Sequence, residues 1–329
     1  MSWAHRHPVA VTAFGLGVSA GSLLAIAVTF GLHNFEAAWN HVTPEWLALT
    51  IAGGVLAIPA YVLAYRAVAA VRSGPDLPWA LAVRIVTAGF GPVAVQSGFV
   101  LDRRALRHAG EPAEDAMVRV LGLGALEWGL LAAVAWIDAV ALLADSDRVV
   151  PLSIVLPWVI AVPVGFAAGV WLSNPGMQPG ATSRAHGLHR QLALARRGIG
   201  VLRDLARDPR QGPRAFIGAG LYWGFEIACF YGAVRFADAR LTFGQTVIAF
   251  ATGFALTRRS SPFAGVGATE VLMTFALNWV RVPIATALVA VIGYRIATLV
   301  IPSAPAIMAH RGVRRFFDPV PPVGDVAAP

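Results

Sequence analysis

Long apolar runs separated by short polar linkers dominate the chain. The first run holds about 24 mostly apolar positions, enough to cross a bilayer at ~1.5 Å per residue and longer than a secretory signal core. We therefore interpret it as an uncleaved first helix. The pattern predicts an all-α, polytopic membrane bundle of about eight transmembrane helices with re-entrant or broken segments. The predicted crossings are 9–32, 46–70, 118–143, 151–172, 216–236, 241–256, 262–278 and 283–309.

Residues 79–101 are apolar but irregular. They contain Arg84 and, near the middle, Gly89-Phe-Gly-Pro92. Glycine and proline interrupt helices, and irregular backbone at membrane depth is tolerated where protein or a water-filled cavity surrounds it. We predict a re-entrant segment, because a full crossing would place the three arginines that follow on the wrong side of the membrane. A single span with a proline kink is the alternative.

The segment 173–215 is hydrophilic and contains eight arginines between Arg184 and Arg214. Its apolar positions recur at helical spacing, which predicts a basic amphipathic linker helix. Such a helix either lies in the membrane interface or is a solvated connector that packs on its neighbours. The apolar positions are Leu188, Leu192, Ala195, Ile199, Leu202 and Ala206.

Arginines cluster in alternate linkers, so the positive-inside rule places both termini in the cytoplasm of a cell-membrane protein. We assign residues 1–310 to one membrane domain with 173–215 as its cytoplasmic linker. The proline-rich residues 311–329 are predicted to be a disordered cytoplasmic tail.

Composition excludes several classes of function. With 57% hydrophobic and 13% charged residues, the chain has too few charges to cover a soluble globule. Its basic residues are all arginine, so a Walker-type ATP site and a pyridoxal Schiff base are excluded. One cysteine and scattered histidines give no reason to expect a metal or another cofactor. The net charge of +8 suits membrane orientation and anionic headgroups better than nucleic acid.

Ionisable side chains within the apolar runs are the candidate functional residues, because charges at that depth are costly. We expect Glu226, Glu270 and Arg295 to meet in a cavity between the last four helices, with the backbone at Gly265 and Gly267 supplying N–H groups. Arg295 would hold a phosphate or carboxylate through its planar fork, and the carboxylates would receive a cationic headgroup or a proton. The alternative is that these charges pair only to fix helix packing. The remaining members of this set are Arg84, Glu127 and Asp138.

Two motifs resemble the flippase-like, lysylphosphatidylglycerol-synthase transmembrane family. One is Pro262-Phe-Ala-Gly-Val-Gly-Ala-Thr-Glu270 followed by Tyr294-Arg295 and Pro302, and the other is Tyr222-Trp223-Gly-Phe-Glu226 followed by Tyr231, Arg235-Phe-Ala and Gln245. The resemblance covers roughly residues 216–308 and implies a polytopic protein that moves or presents anionic lipids. We predict a substrate site, for a lipid headgroup or a proton, formed by Glu226, Glu270, Arg295, Gly265, Gly267, Arg84 and Glu127. The resemblance covers the first five of these, and Arg84 and Glu127 are candidates for their charge within apolar runs.

The leading hypothesis is a flippase-like protein that translocates a polar or anionic-headed lipid across the cytoplasmic membrane. The alternative is a non-transporting scaffold for an envelope lipid or glycan synthesis enzyme. A membrane-embedded transferase ranks last because no nucleophile and base form a pair, and the soluble aminoacyl-transferring domain of some family members has no counterpart here. We therefore expect no enzyme activity, and we expect membrane lipids and a lipid-modifying or envelope-synthesis enzyme as partners.

Overall fold

The computed structural model describes residues 7–92, 98–144, 150–172, 188–254 and 265–313. Over these residues the fold is all-α, with twelve helices and no strand. The helices are α1 (Pro8–Phe30), α2 (Leu32–Trp39), α3 (Glu45–Ala70), α4 (Trp79–Phe90), α5 (Gly98–His108), α6 (Ala113–Ala144), α7 (Leu152–Leu172), α8 (Leu188–Arg207), α9 (Gln211–Phe236), α10 (Phe243–Gly253), α11 (Ala268–Trp279) and α12 (Ile284–Val313).

Six of the described helices are long and apolar enough to cross a membrane, namely α1, α3, α6, α7, α9 and α12. This confirms the all-α class and is consistent with a helical membrane bundle. The predicted crossings at 241–256 and 262–278 correspond to α10 and α11, which have 11 and 12 residues. At ~1.5 Å per residue, each spans roughly half of a ~30 Å hydrocarbon core. The count of eight crossings is therefore not confirmed.

Helices α4 and α5 form a broken pair that opens at one end of the bundle. Arg119, near the start of α6, joins the two flanks: its Nε donates to Glu111 Oε1 at 2.7 Å and its Nη1 donates to the Val71 carbonyl at 2.5 Å. Glu111 follows α5, and Val71 precedes α4. The chain thus enters and leaves the segment at the same end, as expected of a re-entrant segment. Residues 93–97 lie outside the described part of the chain.

Helices α10 and α11 form a second broken pair at the opposite end of the bundle. Gly244, at the start of α10, lies against Asp138 near the end of α6, whereas the first pair opens at the start of α6. Near the end of α10, Gly253 approaches α11 so closely that a Cβ there would lie 2.9 Å from Met273 Cα. The connection, residues 255–264 with Pro262, is outside the described residues.

The two broken pairs belong to two similar units of opposite orientation. Each unit has a long helix, two short helices and a second long helix: α3 to α6, and α9 to α12. The long helices α3 and α9 pack together, α4 packs on the last part of α12, and α10 packs on α6. Inverted units with broken helices are a common architecture of secondary transporters.

Small residues allow α3 and α9 to approach closely and antiparallel. A Cβ at Gly53 would lie 2.6 Å from the Phe225 carbonyl oxygen, and one at Gly232 would lie 2.7 Å from Thr50 Oγ1. Close backbone approach of this kind is how helices gain packing energy in lipid, where burial of apolar surface adds little. The close α3–α9 contact therefore joins the two units.

Helix α8 packs on α6 through a face that differs from the predicted apolar stripe. Val201 and Leu205 are buried, whereas Ile199 and Leu202 of the stripe are half-buried and Ala206 is exposed. A Cβ at Gly198, on the packed face, would lie 2.8 Å from Leu121 Cβ. Arg197 pairs with Asp115 at 2.6 Å and also with Glu114. These contacts favour the connector alternative for this helix. The first part of the linker, residues 173–187, is outside the described residues.

The C-terminal boundary differs from the prediction at its first residues. Residues 311–313 complete α12 and do not start a tail. The rest of the predicted disordered tail, residues 314–329, lies outside the described part of the chain.

Candidate functional site

Two neighbouring residues of α12 bind two different carboxylates. The Tyr294 hydroxyl donates to Glu226 Oε2 of α9 at 2.8 Å, and Arg295 Nε donates to Glu270 Oε1 of α11 at 2.7 Å. Glu226 and Glu270 are each 0% exposed, and Arg295 is 3% exposed. One turn of α12 therefore joins α9 and α11 through buried polar groups.

Glu270 is held by donors from two other helices and one turn. Besides Arg295, the Ser19 hydroxyl of α1 donates to Oε1, and the backbone N–H of Gly267 donates to Oε2 at 2.7 Å. Glu270 lies in the first turn of α11, where a carboxylate interacts favourably with the helix dipole. These contacts hold the Glu270 carboxylate in one position.

Glycine at 267 is required by the backbone. Its φ is +85°, a conformation that residues with a side chain rarely adopt, and Gly265 has a φ of +68°. These two residues turn the chain into α11 and direct the Gly267 N–H at Glu270. From the sequence we expect N–H groups free for a ligand at this turn. At Gly267 that expectation is wrong, because Glu270 already occupies this donor.

Arg295 retains hydrogen-bonding capacity beyond its ion pair. Its Nη2 atom is buried and has no hydrogen-bond partner among the described residues. Thr269 Oγ1, one residue before Glu270, is also buried without such a partner. A buried donor of this kind is costly unless something binds it, so it marks a place where a ligand or water would be stabilised.

A π-helical segment, Ile296–Val300, follows Arg295 directly. Such segments are rare, and they occur frequently at functional sites because they change the helix register locally. Here the Thr298 hydroxyl donates back to the Tyr294 carbonyl at 2.9 Å, which supports the altered turn. Tyr294 and Arg295 therefore lie directly before a change of helical register within a continuous helix of 30 residues.

Helix α1 covers the tips of both broken pairs. A Cβ at Gly15 would lie 2.8 Å from Pro92 Cβ, which is the tip of α4, and a Cβ at Gly267 would lie 3.7 Å from Val18 Cγ1. Ser19, the residue after Val18, donates to Glu270. The opposite face of α1 is apolar and exposed, with Phe14, Leu24 and Val28 among its exposed residues. Helix α1 therefore separates the polar cluster from the surrounding lipid.

The structure gathers only some of the candidate residues. Glu226, Glu270, Arg295 and Gly267 share the polar cluster, with Gly265 at its entry turn. Of the two buried carboxylates, Arg295 pairs with Glu270, and Glu226 accepts a hydrogen bond from the Tyr294 hydroxyl.

The remaining candidates lie elsewhere. Glu127 is buried in α6, where its backbone carbonyl accepts a hydrogen bond from Trp223 Nε1 at 2.7 Å. Arg84 is exposed on α4, where its side chain lies beside Gly312 of α12. Asp138 lies near the end of α6, against Gly244. No group of three potential ligand side chains among the described residues is placed to hold a metal ion.

Two buried polar residues escape the sequence argument. Ser19 is uncharged, so it is not among the ionisable side chains within the apolar runs. The one sequence feature that marks it is its spacing of about one helical turn from Gly15 and from Ser22. Arg119 is 8% exposed, and it is not predicted from the sequence because it lies at the edge of an apolar run. The acidic Glu111 eight residues earlier is the signal that could have found it.

Comparison of the chain with protein-family models finds no match. A comparison with curated proteins finds none either.

Proposed function

We propose that this chain is a flippase-like membrane protein that translocates an anionic-headed lipid, with Arg295 as the residue that receives the anionic group. The observation that carries the proposal is the buried Arg295 guanidinium, which uses Nε on Glu270 and keeps Nη2 without a partner among the described residues. Arginine binds phosphate and carboxylate through two parallel N–H groups. The remaining edge of the fork is the edge suited to such an anion.

The surroundings of Arg295 support a transport site. The cluster lies at the tip of a broken helix, and broken helices at membrane depth are where transporters bind polar substrates. Glu270 offsets the charge of Arg295, so an incoming anion meets a partly neutralised cation and is released more readily than from a lone arginine. Binding strong enough to enter and weak enough to leave is what transport requires.

Helix α1 gives this site a route to the lipid. Its exposed face is apolar, and its inner face holds Glu270 through the Ser19 hydroxyl. Displacement of α1 would break that hydrogen bond and open the cluster sideways to the bilayer, so that a lipid headgroup could enter while its acyl chains stayed in hydrocarbon. The two inverted units offer matching broken pairs at opposite ends of the bundle for exposure to each side.

We place the protein in the cell membrane with both termini in the cytoplasm. An even number of crossings, whether the six candidate spans among the described residues or the eight that the hydrophobic pattern predicts, keeps both termini on one side. The arginine-rich linkers identify that side as the cytoplasmic one.

A non-transporting scaffold for an envelope lipid or glycan synthesis enzyme is the second candidate. It is favoured by the three donors that already hold Glu270, since an ion pair this well satisfied can serve packing alone. Reconstitution into liposomes with a panel of fluorescently labelled lipids separates the two. Transport predicts protein-dependent movement of anionic-headed lipids between leaflets, and a scaffold predicts none for any lipid.

A further inference from the structure

An apolar groove of about 380 Å³ lies between α5 and α6, away from the Glu270–Arg295 cluster. Its walls are almost wholly hydrocarbon. The one charged residue in the lining is Arg103 of α5. The residues that matter for its shape are Phe99 and Val100 from α5, with Met117, Gly124 and Trp128 from α6.

The groove has the length of a lipid chain in one leaflet. Along α6 its lining recurs every three to four residues from Met117 to Trp128. That separation is eleven residues, or ~16 Å at ~1.5 Å per residue, which is about half of a ~30 Å hydrocarbon core. Gly124 leaves the middle of the groove open, since a Cβ there would make only ordinary contact, 3.6 Å, with the Phe99 ring.

Arg103 marks the end of the groove nearest the polar surface. It shares the lining with Met117, which is about one turn inside the start of α6. Three carboxylates near that end are engaged elsewhere: Glu111 pairs with Arg119, and Glu114 and Asp115 pair with Arg197.

Arg103 itself makes no hydrogen bond or ion pair with any described residue, and its neighbour in α5 is a second arginine. The groove thus has, at one end of a hydrocarbon slot, a guanidinium that no described carboxylate neutralises. A lipid without net negative charge or an apolar peptide segment would leave that charge uncompensated.

We propose that this groove binds one acyl chain of an anionic phospholipid, whose phosphate is held by Arg103. Phosphate is the group that arginine binds best among lipid headgroups, and anionic lipids are attracted by neighbouring basic residues. The site is separate from Arg295, so this lipid is bound whether or not the chain translocates anything.

The test uses the purified full-length chain in a neutral detergent. Native mass spectrometry measures the retention of added phosphatidylglycerol and of phosphatidylcholine with the same acyl chains. The wild type should hold one phosphatidylglycerol in preference to phosphatidylcholine. Arg103→Gln should weaken phosphatidylglycerol binding roughly fivefold, which corresponds to about 1 kcal/mol for one basic residue at the membrane surface. Gly124→Leu should abolish binding of both lipids, because its side chain fills the groove.

Two matched variants control for charge and for bulk. Arg107→Gln removes an exposed arginine one turn further along α5, and Gly129→Leu adds the same side chain at an α6 glycine whose Cβ would meet nothing within 4 Å. Both should bind phosphatidylglycerol as the wild type does. If Gly124→Leu does not fold, Ala125→Phe fills the same groove from the next position. Equal retention of the two lipids by the wild type, or unchanged phosphatidylglycerol binding in Arg103→Gln, would overturn the proposal. Since the readout is binding, a failure of lipid transport leaves it unaffected.

Discussion

Arg295 and Glu270 form an ion pair whose side chains are 4% and 0% exposed, with Nε and Oε1 at 2.7 Å. The two residues are 25 positions apart, in α12 and α11, and the pair crosses from a continuous span to the tip of a broken helix. Two buried charges of opposite sign stabilise each other only while both remain, so the loss of either strands the other. The pair therefore fixes the position of the start of α11. It also orients the guanidinium so that Nη2 points away from Glu270.

Ser19→Ala tests the contact of α1 with this pair. It removes one donor from a buried carboxylate, and hydrogen bonds to charged groups contribute roughly 1.5–3 kcal/mol, so we expect a loss of about 1.5 kcal/mol in unfolding free energy. Thermal unfolding in detergent measures it. Ser22→Ala is the matched control, because that hydroxyl is exposed and bonds only to the Val18 carbonyl of its own helix. Equal stability of the two variants would contradict the assigned role of Ser19.

Gly267→Ala tests the turn that enters α11. A methyl group fits at Gly267, with Ser22 Oγ 3.5 Å from the Cβ position, so the cost comes from the positive φ alone, about 1–3 kcal/mol. We expect lower stability and slower lipid movement, since the Gly267 N–H positions Glu270. Gly17→Ala in α1 adds the same methyl group where nothing lies within 4 Å and should not destabilise. Wild-type stability in Gly267→Ala would show that this backbone conformation is not required.

The class of fold follows from sequence because lipid imposes long apolar runs, and those runs coincide with the six spans. The length of α10 and α11 does not follow, because an apolar run that ends halfway through a membrane has the same composition as one that crosses it. Only the glycines at 265 and 267 hint at the break.

Within the site, Arg295, Glu226 and Glu270 are predictable because charges at membrane depth are costly. Which charge pairs with which is not, since Tyr294 and Arg295 are adjacent and only the turn of α12 sends them to different carboxylates. For Arg84 the same argument from charge fails. A charge in an apolar run was expected at the site, but α4 is a short helix and Arg84 lies on its exposed side.

Cysteine labelling tests the first broken pair and the side on which the second pair begins. In a Cys229→Ala background, Asp76→Cys and Arg107→Cys flank α4 and α5, and Arg240→Cys precedes α10. A membrane-impermeant maleimide should reach the first two positions from one side of the membrane and Arg240→Cys from the other. Labelling of positions 76 and 107 from opposite sides would mean that residues 79–101 cross the membrane.

Gly198→Val separates the two interpretations of α8. A connector helix packed on α6 should lose about 1–3 kcal/mol, because a Cβ at 198 would lie 2.8 Å from Leu121 Cβ. Gly200→Val makes the same change two residues later, where the nearest atom is Arg72 Nη2 at 3.9 Å. Thermal unfolding of the two variants gives the comparison. A helix that only lies on the membrane would tolerate both changes equally.

Three variants bear on the claim that Arg295 receives the lipid's anionic group. Arg295→Lys keeps the charge but not the two-pronged geometry, so it should fold and move lipid poorly. Arg295→Ala strands Glu270 and should cost roughly 3–5 kcal/mol of stability. Adding Glu270→Gln to Arg295→Ala removes the stranded charge. The amide oxygen can still accept from the Gly267 N–H, and the amide NH2 can donate to the Ser19 hydroxyl, so stability should recover.

The most direct measurement is translocation of fluorescent phosphatidylglycerol in proteoliposomes containing the Arg295→Ala/Glu270→Gln double variant, at protein levels matched to the wild type. Because the double variant should fold but lack the guanidinium, we predict near wild-type thermal stability together with less than about a tenth of the wild-type rate, a loss of more than ~1.4 kcal/mol in barrier lowering. A double variant that recovers both stability and wild-type translocation would contradict the account and leave Arg295 as a packing residue.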